Sequence, residues 1–483
     1  VTHSGSPWRP PWHFSLRRHG RQEAERRYRP IAARIVAGFA IVLVVGTLLL
    51  MLPVSMAPHA GEPPALPDSR VVGEGVLGGA PVVSALFTAT SALCVTGLVV
   101  VDTLTYWSTF GHAVILVLIH TGGMGVMVLA TLAARALAER FSLGARFVVA
   151  ASTNSNQLAG TGRVIGQIVR TSLIIEGIVA VMLTARLLGR GEAFADALWN
   201  GVFLAISAFN NAGFAMYSDN LMWAAGDAAI LLPIAMAVIL GGLGFPVLVQ
   251  LWRDFGRPRR WHVGTHLVIR GTIVLLVVGT VMTWLLERSN RATLGGMSGA
   301  ESWLNAFFAS TVSRTAGFNS VDISQLNPST WAIHDALMFI GAGPAGTAGG
   351  IKLTTIGVIV AIVAAEVRSR GAVDVAGKRL PRAVQREVIT VVTFAVVVIF
   401  LATFTLMVMT RIDADRLLFE TISAFGTVGV STGVTHTLPV AGQLILCMLM
   451  FVGRLGPLTV ATSLALSRGK LHYELPMERP IIG

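Results

Sequence analysis

Charged side chains are scarce in this sequence. They make up 13% of its 483 residues, against 53% hydrophobic, whereas soluble domains carry roughly 25% charged residues. Apolar runs extend along the whole chain, so a soluble multidomain protein is excluded and the bulk of the chain belongs in lipid. Cysteine is nearly missing too. Cys94 and Cys447 lie far apart in apolar or Gly-rich surroundings, with neither a disulfide framework nor zinc spacing, and read as small buried residues. Acidic residues are outnumbered, leaving a net charge of +12. The basic excess gathers in short segments between apolar runs, which is the pattern of cytoplasmic loops and not of a nucleic-acid binder. HExxH, a nucleophile elbow and an intramembrane carboxylate or His cluster are all missing from the sequence reading, so nothing supports a membrane enzyme.

Eight stretches are long and apolar enough to cross a bilayer: 33–52, 109–134, 164–189, 223–252, 266–287, 329–366, 385–410 and 438–468. Residues 1–34, which lead into the first run, hold eight arginines against two glutamates. That run is longer than a signal-peptide core and no small-x-small cleavage site follows, so it reads as an uncleaved span behind a cytoplasmic tail. Every second connection is basic, with Arg135, Arg140, Arg146 and Arg163, then Arg253, Arg257, Arg259 and Arg260, then Arg368, Arg370, Lys378, Arg379, Arg382 and Arg386. The positive-inside rule then places both termini in the cytoplasm.

The outward-facing connections each hold a short apolar segment ending in a Gly-containing cluster. Aligned, these are FTATSALCVTGL (87–98), FLAISAFNNAGF (203–214), FFASTVSRTAGF (307–318) and FETISAFGTVGV (419–430). Gly97, Gly213, Gly317 and Gly429 recur at intervals of 116, 104 and 112 residues. Ten residues before each stands Phe87, Phe203, Phe307 or Phe419, and six before stands Ser91, Ser207, Thr311 or Ser423. Repetition at this scale predicts an all-α polytopic membrane protein of four membrane–pore-helix–membrane repeats around a pseudo-fourfold central pore. The chain divides into an Arg-rich tail (1–32) and repeats over 33–140, 141–255, 256–370 and 371–483, the last including the C-terminal tail.

A short helix entering from outside points its negative dipole end at the membrane centre, where a cation is stabilised. The chain must then return as extended backbone, tolerated at that depth only when buried or lining a wet cavity. Four such strands form rings of carbonyl oxygens able to replace the water shell of a monovalent cation. The candidate filter residues are Val95, Thr96 and Gly97; Asn211, Ala212 and Gly213; Thr315, Ala316 and Gly317; and Thr427, Val428 and Gly429. The last trio matches the start of the potassium-channel TVGYG filter. Asp102, Asp219 and Asp322 follow three of the glycines and are candidates for an outer mouth that concentrates cations, or for ordinary helix caps.

Further along, Gly122-Gly123-Met124-Gly125, Gly241-Gly242-Leu243-Gly244 and Gly453-Arg454-Leu455-Gly456 lie 25, 28 and 24 residues after their filter glycines. The first two read as close helix packing. Arg454 reads as an electrostatic barrier below the filter, or as the partner of an acid such as Glu420. In the third repeat the equivalent place opens GAGPAGTAGGIK (341–352), whose five glycines and a proline preclude a regular helix. It reads as a loop in the permeation path, a gate formed by Gly343, Gly346, Thr347, Gly349, Gly350 and Lys352 together with Arg454.

These motifs resemble the Ktr/Trk/HKT superfamily of potassium transporters, most nearly the Ktr-type membrane subunit. The similarity runs from about residue 33 to the end and is carried by SALCVTGLVVVDT (91–103), FNNAGF (209–214), SRTAGFNSVDI (313–323), AGTAGGIKLTT (345–355), FGTVGVSTG (425–433) and GRLGPLT (453–459). The resemblance implies K+ at the filter, one pore per subunit, a homodimer in the plasma membrane, and gating by a cytosolic RCK-type ring that binds ATP or ADP on its own chain. It also implies stimulation by Na+, and it maps the family's gating loop to 341–352 and its pore arginine to Arg454. Two features depart from the pattern: Ala215 stands where an acid is frequent, and the Arg-rich tail is long, a candidate for binding membrane lipids. The competing readings are a sodium-coupled solute transporter, whose repeats are usually inverted, and a sodium-permeable pore of the same architecture.

Overall fold

The computed structural model describes residues 36–58, 78–138, 161–369 and 372–466. The Arg-rich tail over 1–32 and Arg140, Arg146 and Arg370 lie outside them. The helices are α1 (Val36–Leu50), α2 (Val82–Cys94), α3 (Thr103–Tyr106) and α4 (Thr109–Ala138), then α5 (Thr161–Gly189), α6 (Phe194–Phe209), α7 (Ala228–Leu243) and α8 (Phe245–Asp254). They continue with α9 (Val263–Glu287), α10 (Gly299–Val312), α11 (Pro328–Phe339) and α12 (Leu353–Val367), and end with α13 (Arg382–Met409), α14 (Ala414–Gly426) and α15 (Val440–Leu466). A hairpin of β1 (Asp374–Val375) and β2 (Lys378–Arg379) joins α12 to α13.

The short apolar segments of the sequence are the pore helices α2, α6, α10 and α14. Each is too short to cross. The first turn of α10 is a capping box, in which Ser298 accepts from the Glu301 N–H and Glu301 accepts from the Ser298 N–H.

The expected eight spans are not all continuous. Among the described residues α4 (over Thr109–Val128), α5, α9 and α13 are unbroken helices of crossing length. The stretch 223–252 is instead the pair α7 and α8, bent by 99°. Pro246 in the first turn of α8 lacks an N–H and would clash with the carbonyl four residues back. Gly244 absorbs the turn at φ 90°, a conformation open to glycine. The glycine cluster of the second repeat is thus a break as well as a packing site. The stretch 329–366 is divided into α11 and α12 by the Gly-rich segment.

Polarity is inverted relative to a soluble protein. Val181, Phe400 and Val408 are 70%, 65% and 72% exposed on the rim, whereas Ser91, Ser207, Thr311 and Ser423 on the pore helices are buried. Apolar side chains that face lipid lose nothing by exposure, so the interior is free to hold hydroxyls. Three of the four repeated phenylalanines, Phe87, Phe203 and Phe419, are fully buried. In the third repeat the buried ring is Phe308, and Phe307 packs half-buried.

Candidate functional site

Each pore helix ends the same way. Val95, Asn211, Thr315 and Thr427 take left-handed backbone angles, with φ of 57°, 60°, 89° and 49°. Two residues on, Gly97, Gly213, Gly317 and Gly429 do so again, at 101°, 71°, 66° and 93°. For β-branched Val and Thr such angles cost about 1–3 kcal/mol each, a strain usually stored where function requires it.

The four strands close into a ring. A Cβ placed on Gly97 would lie 2.5 Å from the Ala212 carbonyl oxygen, one on Gly213 2.6 Å from that of Ala316, and one on Gly317 2.8 Å from that of Val428. One on Gly429 would strike the Thr96 carbonyl oxygen. The order is therefore first, second, third, fourth and back to first, with each glycine against a carbonyl of the next strand. The ring is braced from behind, though not with fourfold symmetry. The Gly97 N–H donates to Ser91 Oγ and the Gly429 N–H to Ser423 Oγ, both at 3.0 Å. Thr311 instead donates to the Phe307 carbonyl, and Ser207 Oγ has no partner.

All four filter glycines line one outward cavity of about 300 Å³, together with Asp102, Asp219 and Asp322. For two of the acids the capping reading holds. Asp102 accepts from the Leu104 N–H at 2.8 Å and Asp322 from the Ser324 N–H at 2.9 Å, so they cap turns while facing the cavity. Charge so placed raises the local concentration of cations.

On the inner side lies the segment 340–352. Thr347 Oγ1 donates to the Phe209 carbonyl at 3.2 Å and stands 3.0 Å from the Asn211 amide, which also reaches Thr315 Oγ1 at 3.2 Å. Gly349 abuts the Thr427 side chain, and the Gly350 N–H donates to the Gly453 carbonyl at 3.2 Å. Gly343 donates to the Gly242 carbonyl at 2.8 Å, and Gly346 packs against the Gly241 and Gly242 carbonyls. Strands two and four stand across the ring from each other, so a segment touching the ends of both passes beneath it.

Arg454 holds this segment. Its guanidinium donates to the Thr347 carbonyl and, at 3.0 Å, to the Gly122 carbonyl. Lys352 Nζ donates to the Ala348 and Gly349 carbonyls at 2.5 and 3.2 Å. The pairing of Arg454 with Glu420 does not occur. Glu420 instead accepts from Ser431 Oγ at 2.5 Å, the Thr432 N–H at 2.9 Å and Thr435 Oγ1 at 2.7 Å, and so braces the loop that follows Gly429. The glycines 24–28 residues past the filter also acquire a cause. A Cβ on Gly122, Gly241 or Gly453 would collide with the carbonyl of Leu93, Phe209 or Phe425, each four residues before its filter glycine.

An intramembrane carboxylate–histidine contact, missing from the sequence reading, is present. Glu176 Oε1 lies 3.5 Å from His120 Nδ1 and accepts from Asn210 Nδ2 at 2.8 Å, at the end of α6. Only the charge of Glu176 within an apolar run could have signalled it, since its partners come from two other helices.

Residues 78–472 match the family described as TrkH, cation transport protein. The Ktr system potassium uptake protein B of Bacillus subtilis is 36% identical over 89% of this chain and 92% of its own length. The potassium/sodium uptake protein NtpJ of Enterococcus hirae is 30% identical over 96% of this chain and 99% of its own. The solved structure of the potassium transporter TrkH from Vibrio parahaemolyticus shares the fold, with a TM-score of 0.64 at 19% identity over 90% of this chain and 86% of that one. These relatives are transporters, so the non-enzymatic reading holds. The chain thus shares its fold with a solved potassium transporter and belongs to the TrkH cation transport proteins, within the Ktr/Trk group.

Proposed function

We propose that this chain is the pore subunit of a potassium-uptake system, passing K+ down its electrochemical gradient through the carbonyl ring. The closed order of the four glycine strands carries this reading, because each glycine stands against a carbonyl oxygen of the next strand with no room for a side chain, the close ring of backbone that a carbonyl filter requires. A cation is concentrated by the acids of the outer cavity, exchanges water for carbonyls at residues 95–97, 211–213, 315–317 and 427–429, and meets the segment 341–352 below. Arg454 and Lys352 put positive charge on that segment, where it repels the permeant ion. Moving the segment aside clears both the backbone and the charge. The names of the Ktr relatives, potassium uptake proteins of a multi-component system, support K+ as substrate and a separate regulatory component. That component is a cytosolic RCK-type ring carrying ATP or ADP, acting on a homodimer in the plasma membrane with cytoplasmic termini. Na+ stimulates the flux.

The name of the 30% identical potassium/sodium uptake protein favours one second reading, a pore that also passes Na+. Expression in a potassium-uptake-deficient bacterium, with a candidate cytosolic partner supplied, separates the cases. Potassium-selective rescue, raised further by deleting 343–350, is the expected result. Equal uptake of both ions selects the second reading. Failure of any rescue with the partner present returns the chain to the sodium-coupled solute class.

A further inference from the structure

The second repeat is one residue longer than its neighbours just outside the filter. Asp219 falls six residues after Gly213, where Asp102 and Asp322 fall five after Gly97 and Gly317. Asn220 follows in the left-handed region at φ 58°, which asparagine enters more readily than other side chains. The turn folds its amide back over the filter. Nδ2 donates to the carbonyl oxygen of Gly213 at 3.2 Å. Oδ1 accepts from the Asn319 N–H at a longer 3.4 Å, and the Leu221 N–H donates to the Asn319 carbonyl at 3.1 Å. The two ends of the amide have partners of opposite kind, which fixes its orientation. Asn220 thus ties the outer ends of strands two and three while lining the cavity into which all four glycines open. Among the described residues, no other side chain donates to a filter-glycine carbonyl; those of Gly97, Gly317 and Gly429 accept none.

We propose that Asn220 sets the strength of the outermost cation position by engaging one of the four glycine carbonyls there. This rests on the potassium-pore reading. A carbonyl oxygen has two lone pairs. The amide N–H occupies one and brings the positive end of its dipole to the oxygen that a cation would use. The outermost ring then consists of three free carbonyls and one attenuated carbonyl held at a fixed tilt. Conduction requires binding strong enough to admit an ion and weak enough to release it, and an ion arriving from the cavity meets this ring first. The hydroxyls of Ser91 and Ser423 brace glycine N–H groups; Asn220 acts on a glycine carbonyl itself.

The test uses the full-length protein, wild type, Asn220→Gly and Asn220→Asp. Glycine retains the left-handed turn and deletes the amide. Aspartate retains the shape, loses the donor and adds a negative charge. Calorimetric titration of the purified proteins with KCl, and initial-rate uptake in cells, are read side by side. Both variants are expected to bind K+ more tightly and to lower KM by about fivefold, the worth of one net hydrogen bond, with a changed Rb+/K+ preference. Unchanged Kd, KM and Rb+/K+ preference in both variants would overturn the assignment. So would a fall in maximal rate alone at normal membrane abundance, which marks a merely structural turn. Wild-type protein that binds no K+ would remove the pore reading and this inference together, an outcome distinct from the other two.

Discussion

A filter glycine is required here by what stands opposite it. At Gly97 the opposing group is the Ala212 carbonyl, 2.5 Å from where a Cβ would sit, so even alanine must displace that oxygen. Gly97→Ser is therefore expected to keep transport while lowering K+ over Na+ preference, read by uptake of one ion in competition with the other; an unchanged ratio would remove Gly97 from the filter. Glu420 presents the opposite case, a carboxylate whose acceptor capacity is filled by Ser431, Thr432 and Thr435. Glu420→Gln places an amide N–H₂ among donors, and leaving buried donors unmatched costs about 1–3 kcal/mol. A lower melting temperature in detergent, with weakened selectivity, is the expected pair of effects. Melting and selectivity both equal to wild type would show that the brace is dispensable. The glycines were legible in the sequence because they recur at one offset in four segments. Glu420 and Asn220 were not, because each acts on a partner that only the folded turn brings near.

At the scale of elements, the helix breaks shape the segment beneath the ring. Composition alone exposed the one over 341–352, since five glycines and a proline cannot remain helical. The bend between α7 and α8 was harder to see. Gly241–Gly244 resembles the glycine cluster of α4, which stays helical, and the difference rests on Pro246 two residues later. The two breaks meet, with Gly343 bonded to Gly242 and the Phe245 N–H to the Ala345 carbonyl at 3.1 Å. The segment beneath the filter is therefore anchored at its start by the second repeat and towards its end by Arg454. That arginine has no acidic partner among the described residues; its hydrogens go to backbone carbonyls of Thr347 and Gly122. Arg454→Gln deletes the charge and loosens the tie. Maximal K+ flux is expected to rise, with less dependence on the regulatory partner, in uptake assays matched for membrane abundance. Flux at or below the wild-type level would argue that Arg454 supports the fold and not the barrier.

Across the whole molecule, fourfold repetition sets the ring while the outer surface departs from it. Three repeats contribute Asp102, Asp219 and Asp322 to the cavity; the fourth contributes His436 and none of these acids. The repeat pattern of the sequence made the three acids visible and left His436 unremarked, since a histidine in an outer loop has no counterpart to align with. Burial holds the His436 imidazole below its ordinary value, which is about 6.5. It is therefore neutral at pH 7 and becomes charged only as the outer solution is acidified past that ordinary value. A positive charge arriving in this cavity offsets part of the acidic field that gathers cations. External acidification is expected to raise KM for K+, more steeply at low ionic strength where screening is weak. His436→Gln should flatten that rise while leaving uptake at pH 7.5 unchanged, because the neutral imidazole and the amide carry the same charge. Cytoplasmic acidification at constant external pH should do neither in the orientation proposed above, with cytoplasmic termini and the cavity outside. Identical acid sensitivity in wild type and His436→Gln would assign the titration to another group and leave the fourth repeat without a part in cation capture.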